Sequence, residues 1–361
     1  MFSPADHAFM ARALRLARKG LFSTTPNPRV GCVIVNNGVV VGEGWHRKAG
    51  EAHAEVEALR VAGSAARGAT VYVTLEPCSH HGRTPPCAVA LIEAGVGRVV
   101  AAMEDPNPQV AGRGVAMLVD AGISTQCGLM SVEANELNVG FVSRMSRGRP
   151  WVRMKLAASL DGKTALLNGA SQWITGPAAR QDGHRWRARA CAILSGIGTV
   201  RDDDPQLNVR GVATERQPGK VVVDSRLDLS PEARVLVGGK LLVATAVDNA
   251  VKVAALRARG AEVIRLENRS GKVDLAALLA ELGRRGINEL HVEGGYRLSG
   301  ALLAEGLVDE LLLYLAPCLL GDRARGMFNL PELASLEDKR RLAIGDMRMV
   351  GADLRVLARF I

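Results

Sequence analysis

One imidazole and two thiols are spaced for a metal ion: His53-Ala-Glu55, then Pro77-Cys78, then Cys87. Neutral imidazole and thiolate are good zinc ligands, and a site with only three protein ligands leaves a fourth position where the metal can activate water. Glu55 is not needed as a ligand, so it is free to carry a proton from that water to a departing amine. The chemistry implied is hydrolytic removal of an exocyclic amino group from a nucleobase-like ring. A structural zinc knot would want four ligands, usually as two close pairs, and no second C-x-x-C or closing His pair occurs. Two buried cysteines and a helical histidine with no metal form the other plain reading. The order of the His-x-Glu and Pro-Cys elements favours the catalytic one.

The spacing departs from the common deaminase pattern, which ends C-x-x-C. Here eight residues, Ser79 to Pro86, separate the two cysteines, and Ser-His-His-Gly-Arg-Thr-Pro-Pro is polar. Such a segment suits a loop beside the metal. It points away from a nucleic-acid editing site and toward a substrate with an extra polar appendage.

The elements that must position these groups alternate between helix and strand. Phe9, Met10, Ala13, Leu14 and Ala17 fall at helical spacing. Val30–Val35 and Val39–Val41 flank Asn37-Gly38, a hairpin turn signal. A helix is predicted from near His53 to Ala62, then a strand over Thr70–Leu75, then a helix with Pro86 at its start and Cys87 in its first turn. The ligands thus fall at a helix start, a strand end and a second helix start, from which backbone geometry can aim them into one crevice. A polar helix over Val132–Val142 and a connector over Ser143–Pro150 predict a domain boundary, dividing the chain into 1–146 and 147–361.

At 361 residues two domains are the natural expectation. The balance of 48% hydrophobic and 23% charged residues is that of an ordinary globular protein. No apolar run is long enough for a membrane span, and no basic-then-apolar leader opens the sequence, so a cytoplasmic enzyme is expected. Six widely spread cysteines fit a reducing compartment better than a disulfide framework. The net charge of +9 is distributed: 15 basic and 12 acidic residues in 1–150, 31 and 25 in the remainder. With few aromatics and no basic tract this disfavours nucleic acid as a partner. A small phosphorylated substrate and a phosphorylated cofactor account for scattered arginines as well.

The second half again reads as α/β, with strands predicted at Trp151–Ala157, Ala190–Leu194, Val221–Asp224, Leu241–Ala244, Val263–Leu266, Leu290–Glu293 and Leu311–Leu315. Ser195-Gly-Ile-Gly-Thr199 and Glu293-Gly-Gly295 each follow a strand, and glycines there let backbone amides approach phosphate oxygens. Each is equally a plain strand-to-helix turn, and neither is a full G-x-G-x-x-G followed by an acidic residue. The run Arg201-Asp-Asp-Asp204 and the stretch Asn208-Val-Arg210 add charge that a core would not tolerate. Spacing alone does not identify this half as a reductase.

Thr25-Pro-Asn-Pro-Arg-Val-Gly-Cys32, His53-Ala-Glu55 and Glu76-Pro-Cys-Ser-His-His-Gly-Arg-Thr-Pro-Pro-Cys87 together closely resemble the RibD family of bifunctional riboflavin-biosynthesis enzymes. The resemblance continues through Lys155–Lys163, Ser171-Gln-Trp-Ile-Thr175, the 196–210 stretch and Val292-Glu-Gly-Gly295, so it spans essentially the whole chain. It implies an N-terminal cytidine-deaminase-like α/β/α sandwich and a C-terminal dihydrofolate-reductase-like α/β domain. The latter binds NADPH without a Rossmann fingerprint. It also implies two reactions: deamination of 2,5-diamino-6-(5-phosphoribosylamino)pyrimidin-4(3H)-one, then NADPH reduction of the ribosyl group of the product. A tRNA or nucleoside deaminase fused to an unrelated nucleotide-binding half is the competing enzyme reading, and a zinc-stabilised nucleotide-sensing protein the non-enzyme one.

The resemblance makes His53, Cys78 and Cys87 the zinc ligands, Glu55 the proton carrier and Asn27 a reader of the pyrimidine edge. In the second half it places Ser171, Arg187, Leu207, Arg210 and Glu293 at substrate positions, the two arginines suiting phosphate because guanidinium binds it bidentately. Ala157, Trp173, Thr199, Asp203, Ser225 and Gly295 match NADPH positions. Asp203, charged and beside the Gly196–Thr199 turn, is further expected to help protonate or position the sugar, and Arg226 to face the 2′-phosphate. Read without the family, Trp173 is core packing and Arg187 a surface charge. A homo-oligomer is expected by the same resemblance.

Overall fold

A computed structural model describes residues 1–79, 85–108 and 110–361. The chain divides into two units, Met1–Gly148 and Arg149–Ile361. In the first, Ser3 and Asp6 cap each other at the start of α1 (Pro4–Arg18), which buries Met10, Ala13, Leu14 and Ala17 on one stripe. Asn37 and Gly38, both at positive φ (49° and 78°), turn β1 (Gly31–Asn36) into β2 (Val39–Trp45). There follow α2 (Ala54–Ala62), β3 (Thr70–Val73), α3 (Cys87–Glu93), β4 (Arg98–Ala101), α4 (Arg113–Asp120), β5 (Ser124–Cys127), α5 (Ser131–Leu137) and α6 (Val139–Arg147).

The sheet runs β2-β1-β3-β4-β5, antiparallel around β1 and parallel from β3 to β5. Successive β1 residues enter opposite cores, as the pleat requires. Cys32 and Ile34 join Ala58, Leu91 and Leu118 of α2, α3 and α4. Val33 and Val35 join Leu14 and Ala134 of α1 and α5. The layers are therefore α/β/α. The predicted single helix over 132–142 is two helices broken at Asn138, and the predicted connector 143–150 is helical as far as Arg147. At the break Asn138 leaves helical geometry (φ −112°, ψ 18°), and its side chain bonds to the backbone of Arg29, far away in the sequence.

In the second unit come β6 (Trp151–Ser159), β7 (Lys163–Ala165), α7 (Pro177–Arg189), β8 (Ala192–Gly196), α8 (Ile197–Asp203), β9 (Gly219–Val223), β10 (Leu241–Thr245), α9 (Ala250–Ala258), β11 (Ala261–Arg265), α10 (Leu275–Arg284), β12 (Glu289–Val292), α11 (Tyr296–Ala304), β13 (Glu310–Ala316), β14 (Arg325–Gly326), β15 (Leu342–Val350) and β16 (Asp353–Phe360). Among the described residues the main sheet has the order β11-β10-β9-β8-β12-β6-β13-β16-β15; the first seven strands are parallel and the last two antiparallel. All seven expected strands are present. The β15–β16 hairpin was not expected, because a register shift between Ile344 and Asp346 breaks the two-residue alternation that marks a strand. Among the described residues no helix is long and apolar enough to cross a membrane.

Candidate active sites

Glycines bring α2 close to the sheet. A Cβ on Gly44 would stand 2.2 Å from the Ala54 carbonyl oxygen, and one on Gly42 2.3 Å from that of Ala58. His53, in extended geometry just before α2, then projects from the helix start, while Glu55 lies in the first turn and is 3% exposed. The strand end carrying Cys78 is pinned by Glu76. Its buried carboxylate accepts backbone N–H groups from Asp105, Gly112, Gly114 and Val115 at 2.9–3.2 Å. Gly114 has to be glycine, since a Cβ would fall 1.9 Å from the Pro77 oxygen.

Three candidate ligand atoms converge as a result. His53 Nδ1 lies 3.2 Å from Cys87 Sγ and 3.5 Å from Cys78 Sγ, and all three atoms fit within 4.8 Å of one another. The Cys87 N–H also points at Cys78 Sγ, at 3.3 Å. The hydrogen bond from Cys87 draws the Cys78 thiol down to about 4, while the same bond and burial push Cys87 far up. A Cys2His donor set with one thiolate already favoured is what zinc requires. Burial raises Glu55 to about 7, against the opposing pull of His53, which suits a group that must both take and give a proton near neutrality. Most of the polar spacer, residues 80–84, lies outside the described residues.

Asn27 reaches the same region through His46, which stands alone in the sequence and belongs to no motif. The Asn27 Nδ2 is 3.1 Å from His46 Nε2, His46 Nδ1 is 3.1 Å from the Ala52 carbonyl, and the His46 ring meets that of His53 edge-on at 5.3 Å. The carbonyl makes Nδ1 the protonated nitrogen, leaving Nε2 to accept from Asn27.

In the second unit the expected residues gather along the carboxyl ends of neighbouring parallel strands, where open α/β sheets bind ligands. The turns after β8 and β12 adjoin: a Cβ on Gly295 would come 3.5 Å from Thr199 Oγ1, an ordinary contact distance. Arg187 of α7 and Glu293 form a two-pronged pair (2.5 and 2.7 Å), with Arg187 Nη1 also on the Asn208 carbonyl at 2.9 Å. Burial works against the Glu293 charge, yet Arg187 holds its carboxyl well below the usual range. Arg187 is therefore neither a bare surface charge nor an open phosphate fork. Arg210 bonds the Asn208 side chain at 2.7 Å, and its N–H donates to His184 Nδ1 at 3.1 Å.

Other placements correct or refine the expectations. Trp173 is 69% exposed with the Arg180 guanidinium 4.6 Å from its ring centre, so it is not core packing. Leu207 is 2% exposed and at φ 48°, so its side chain fills the core and only its backbone faces outward contacts. Asp203 ends α8, exposed, and accepts from Gln172 at 3.4 Å beside half-buried Ser171. Ala157 pairs with Tyr314 in the β6–β13 ladder. Ser225 Oγ accepts the Val273 N–H at 3.1 Å, and Arg226 is exposed. Three isolated residues join the cluster without any signal in the sequence. Lys155, its charge disfavoured by burial, feels both Glu293 and Arg187. His291 Nε2 is 3.2 Å from Glu293, and His184 is held down to about 4 by burial, Arg187 and Arg210.

Comparison with known proteins covers both units. Residues 3–103 match the cytidine and deoxycytidylate deaminase zinc-binding region, and residues 150–350 match the RibD C-terminal domain. The riboflavin biosynthesis protein RibD of Escherichia coli (strain K12) is 50% identical over 363 residues, covering 97% of this chain and 98% of that one. Among solved structures, Acinetobacter baumannii RibD (form 1) matches with a TM-score of 0.93 at 44% identity, over 99% of both chains. The Thermotoga maritima diaminohydroxyphosphoribosylaminopyrimidine deaminase/5-amino-6-(5-phosphoribosylamino)uracil reductase matches with a TM-score of 0.87 at 32% identity, again over 99% of both. The second half is thus no unrelated appendage, which removes the nucleoside- and tRNA-deaminase reading. The chain belongs to the RibD family and is a bifunctional deaminase and reductase of riboflavin biosynthesis.

Proposed function

We propose that an N-terminal domain, residues 1–146, deaminates 2,5-diamino-6-(5-phosphoribosylamino)pyrimidin-4(3H)-one. The second, residues 147–361, then reduces the ribosyl group of 5-amino-6-(5-phosphoribosylamino)uracil to a ribityl chain with NADPH. The observation that carries the first assignment is the convergence of His53, Cys78 and Cys87 beside a buried Glu55 that is not one of the three. His53, Cys78 and Cys87 would hold zinc, which when bound supplies a nucleophile from water at neutral pH. Glu55, poised near neutrality, takes a proton from water and returns it to the leaving amine. Asn27, its donor committed to His46 on one side, presents its carbonyl to a ring N–H.

For the second step the adjoining turns at Thr199 and Gly295 would offer backbone N–H groups to a cofactor phosphate, and NADPH when bound supplies the hydride. Ala157, Trp173, Asp203 and Ser225 complete that side, with Asp203 positioning a proton at the opened sugar. Arg187, Arg210, Ser171, Glu293 and the Leu207 backbone hold the phosphorylated substrate; Glu293 is available to a sugar hydroxyl once phosphate competes for the Arg187 fork. The six cysteines, none in a disulfide among the described residues, support a cytoplasmic setting. Leu342, Ile344, Met347 and Met349, all exposed on the edge strand β15, support a homo-oligomer sealed along that edge.

The test follows ammonia release and NADPH oxidation in one cuvette, using the diaminopyrimidine ribotide with and without a zinc chelator. Ammonia followed by NADPH loss, both abolished by prior stripping of zinc, is the expected result. With the deaminated product supplied directly, NADPH loss should survive stripping. Absence of both signals in metal-replete protein would overturn the substrate assignment.

A further inference from the structure

Arg29 closes the Asn27-Pro28-Arg29 stretch, and Asn138 separates α5 from α6; neither has a part in the chemistry above, and they meet. Asn138, 1% exposed, turns its carboxamide onto the Arg29 backbone: Oδ1 accepts the Arg29 N–H at 2.7 Å and Nδ2 donates to the Arg29 carbonyl at 2.9 Å. A primary amide carries donor and acceptor on one plane, so it can pair with a residue's backbone as a neighbouring strand would. Arg29 returns the grip. Its Nη1 donates to the Leu137 carbonyl at 2.7 Å, one of the groups that the end of α5 leaves without a helical partner, and its Nη2 reaches the Leu21 carbonyl at 3.3 Å.

What this clamp holds is the backbone that carries Asn27. The Asn27 N–H bonds to the Thr24 carbonyl at 3.0 Å, its side chain meets His46, and the His46 N–H bonds to the Val30 carbonyl at 2.9 Å. The segment from Asn27 to Val30 is therefore fixed by His46 from one side and by Asn138 from the other, with the His46 ring against His53. Breaking the α5–α6 helix frees the Asn138 side chain for this pairing, and its burial leaves no water to replace it.

We infer that Asn138 is a positioning residue for deamination: by pairing with the Arg29 backbone it sets where the Asn27 amide meets the substrate ring, without touching the substrate. This rests on the reading of Asn27 as the ring contact. The test is a double-mutant cycle in the full-length zinc-replete chain with Asn138→Ala, Asn27→Ala and both, measuring KM and kcat for ammonia release from the diaminopyrimidine ribotide. Bound zinc and reductase turnover on supplied deaminated product serve as controls within the same molecule. Asn138→Ala should raise KM about tenfold, keep its zinc and add nothing further when Asn27 is already alanine. Effects that multiply in the double variant, or an unchanged KM in Asn138→Ala, would overturn the inference alone. A normal KM in Asn27→Ala would overturn the reading of Asn27 and the inference with it. Should Asn138→Ala lose zinc, Asn138→Asp answers the same question: it has the same shape and keeps the acceptor for the Arg29 N–H, but sets an oxygen against the Arg29 carbonyl. Its KM should rise in the same non-additive way.

Discussion

The two clusters solve opposite electrostatic problems. In the first unit His53 and Cys87, 34 positions apart, and Cys78 between them bring two sulfurs and a ring nitrogen within 4.8 Å of one another, a donor set that a cation would satisfy. In the second, Arg187 and Glu293, 106 positions apart, neutralise each other within the protein. One site advertises its ligand through residue type; the other conceals its ligand behind an internal ion pair. A metal site needs particular atoms, whereas a phosphate site needs charge that the fold must keep quiet until the ligand arrives.

Four substitutions or conditions break or sharpen that contrast. Glu55→Gln removes the proton carrier without touching a ligand; ammonia release should fall by up to about 10⁴-fold. Zinc content and reductase turnover should stay at wild-type values, and loss of zinc would make Glu55 part of the metal site. Arg187→Ala leaves the part-buried Glu293 charge with only His291 and Lys155 near it, at a cost of up to about 3 kcal/mol to the second unit. Urea unfolding followed by fluorescence reads this unit selectively, since Trp151, Trp173 and Trp186 lie in it and only Trp45 in the first. Arg187→Ala with Glu293→Gln should recover much of the loss. A single-variant loss below about 1 kcal/mol would mean that His291 and Lys155 satisfy Glu293.

The same cluster predicts a pH dependence. His184 is held at about 4 by burial and by Arg187, Arg210 and Lys155, with Glu293 acting against them. An unfolded histidine titrates near 6.5, so the unfolded chain binds the extra proton first. Stability from this residue is therefore complete above about pH 6.5 and is lost as pH falls toward 4, by at most about 1.4 kcal/mol per pH unit. His184→Asn should flatten that part of the profile for the second unit, and an unchanged slope would show that other groups set it. The smallest effect is expected of Arg226→Ala, which should lower the preference for NADPH over NADH several-fold through loss of one exposed charge near a phosphate. An unchanged preference would assign the 2′-phosphate to another cation.

Legibility in the sequence followed the range of the interactions. The Asn37-Gly38 turn, the α1 stripe and the seven parallel strands depend on neighbours within a few residues, and each stands where the pattern puts it. The β15–β16 hairpin escaped because its bulge shifts the alternation, and the α5–α6 break escaped because the partner of Asn138, Arg29, lies 109 positions away. His46, Lys155 and His291 carry no motif of their own; each gains its place from a partner on another strand or loop.

By itself the sequence singled out three candidate metal ligands, a candidate proton carrier beside them and the α/β class of both halves, because residue chemistry and short-range periodicity are written along the chain. Only the tertiary structure decided that the two thiols and the imidazole meet, that Arg187 pairs with Glu293 and that Leu207 turns its side chain into the core. Charge, burial and hydrogen bonding are properties of neighbours in space, and those neighbours are chosen by the fold.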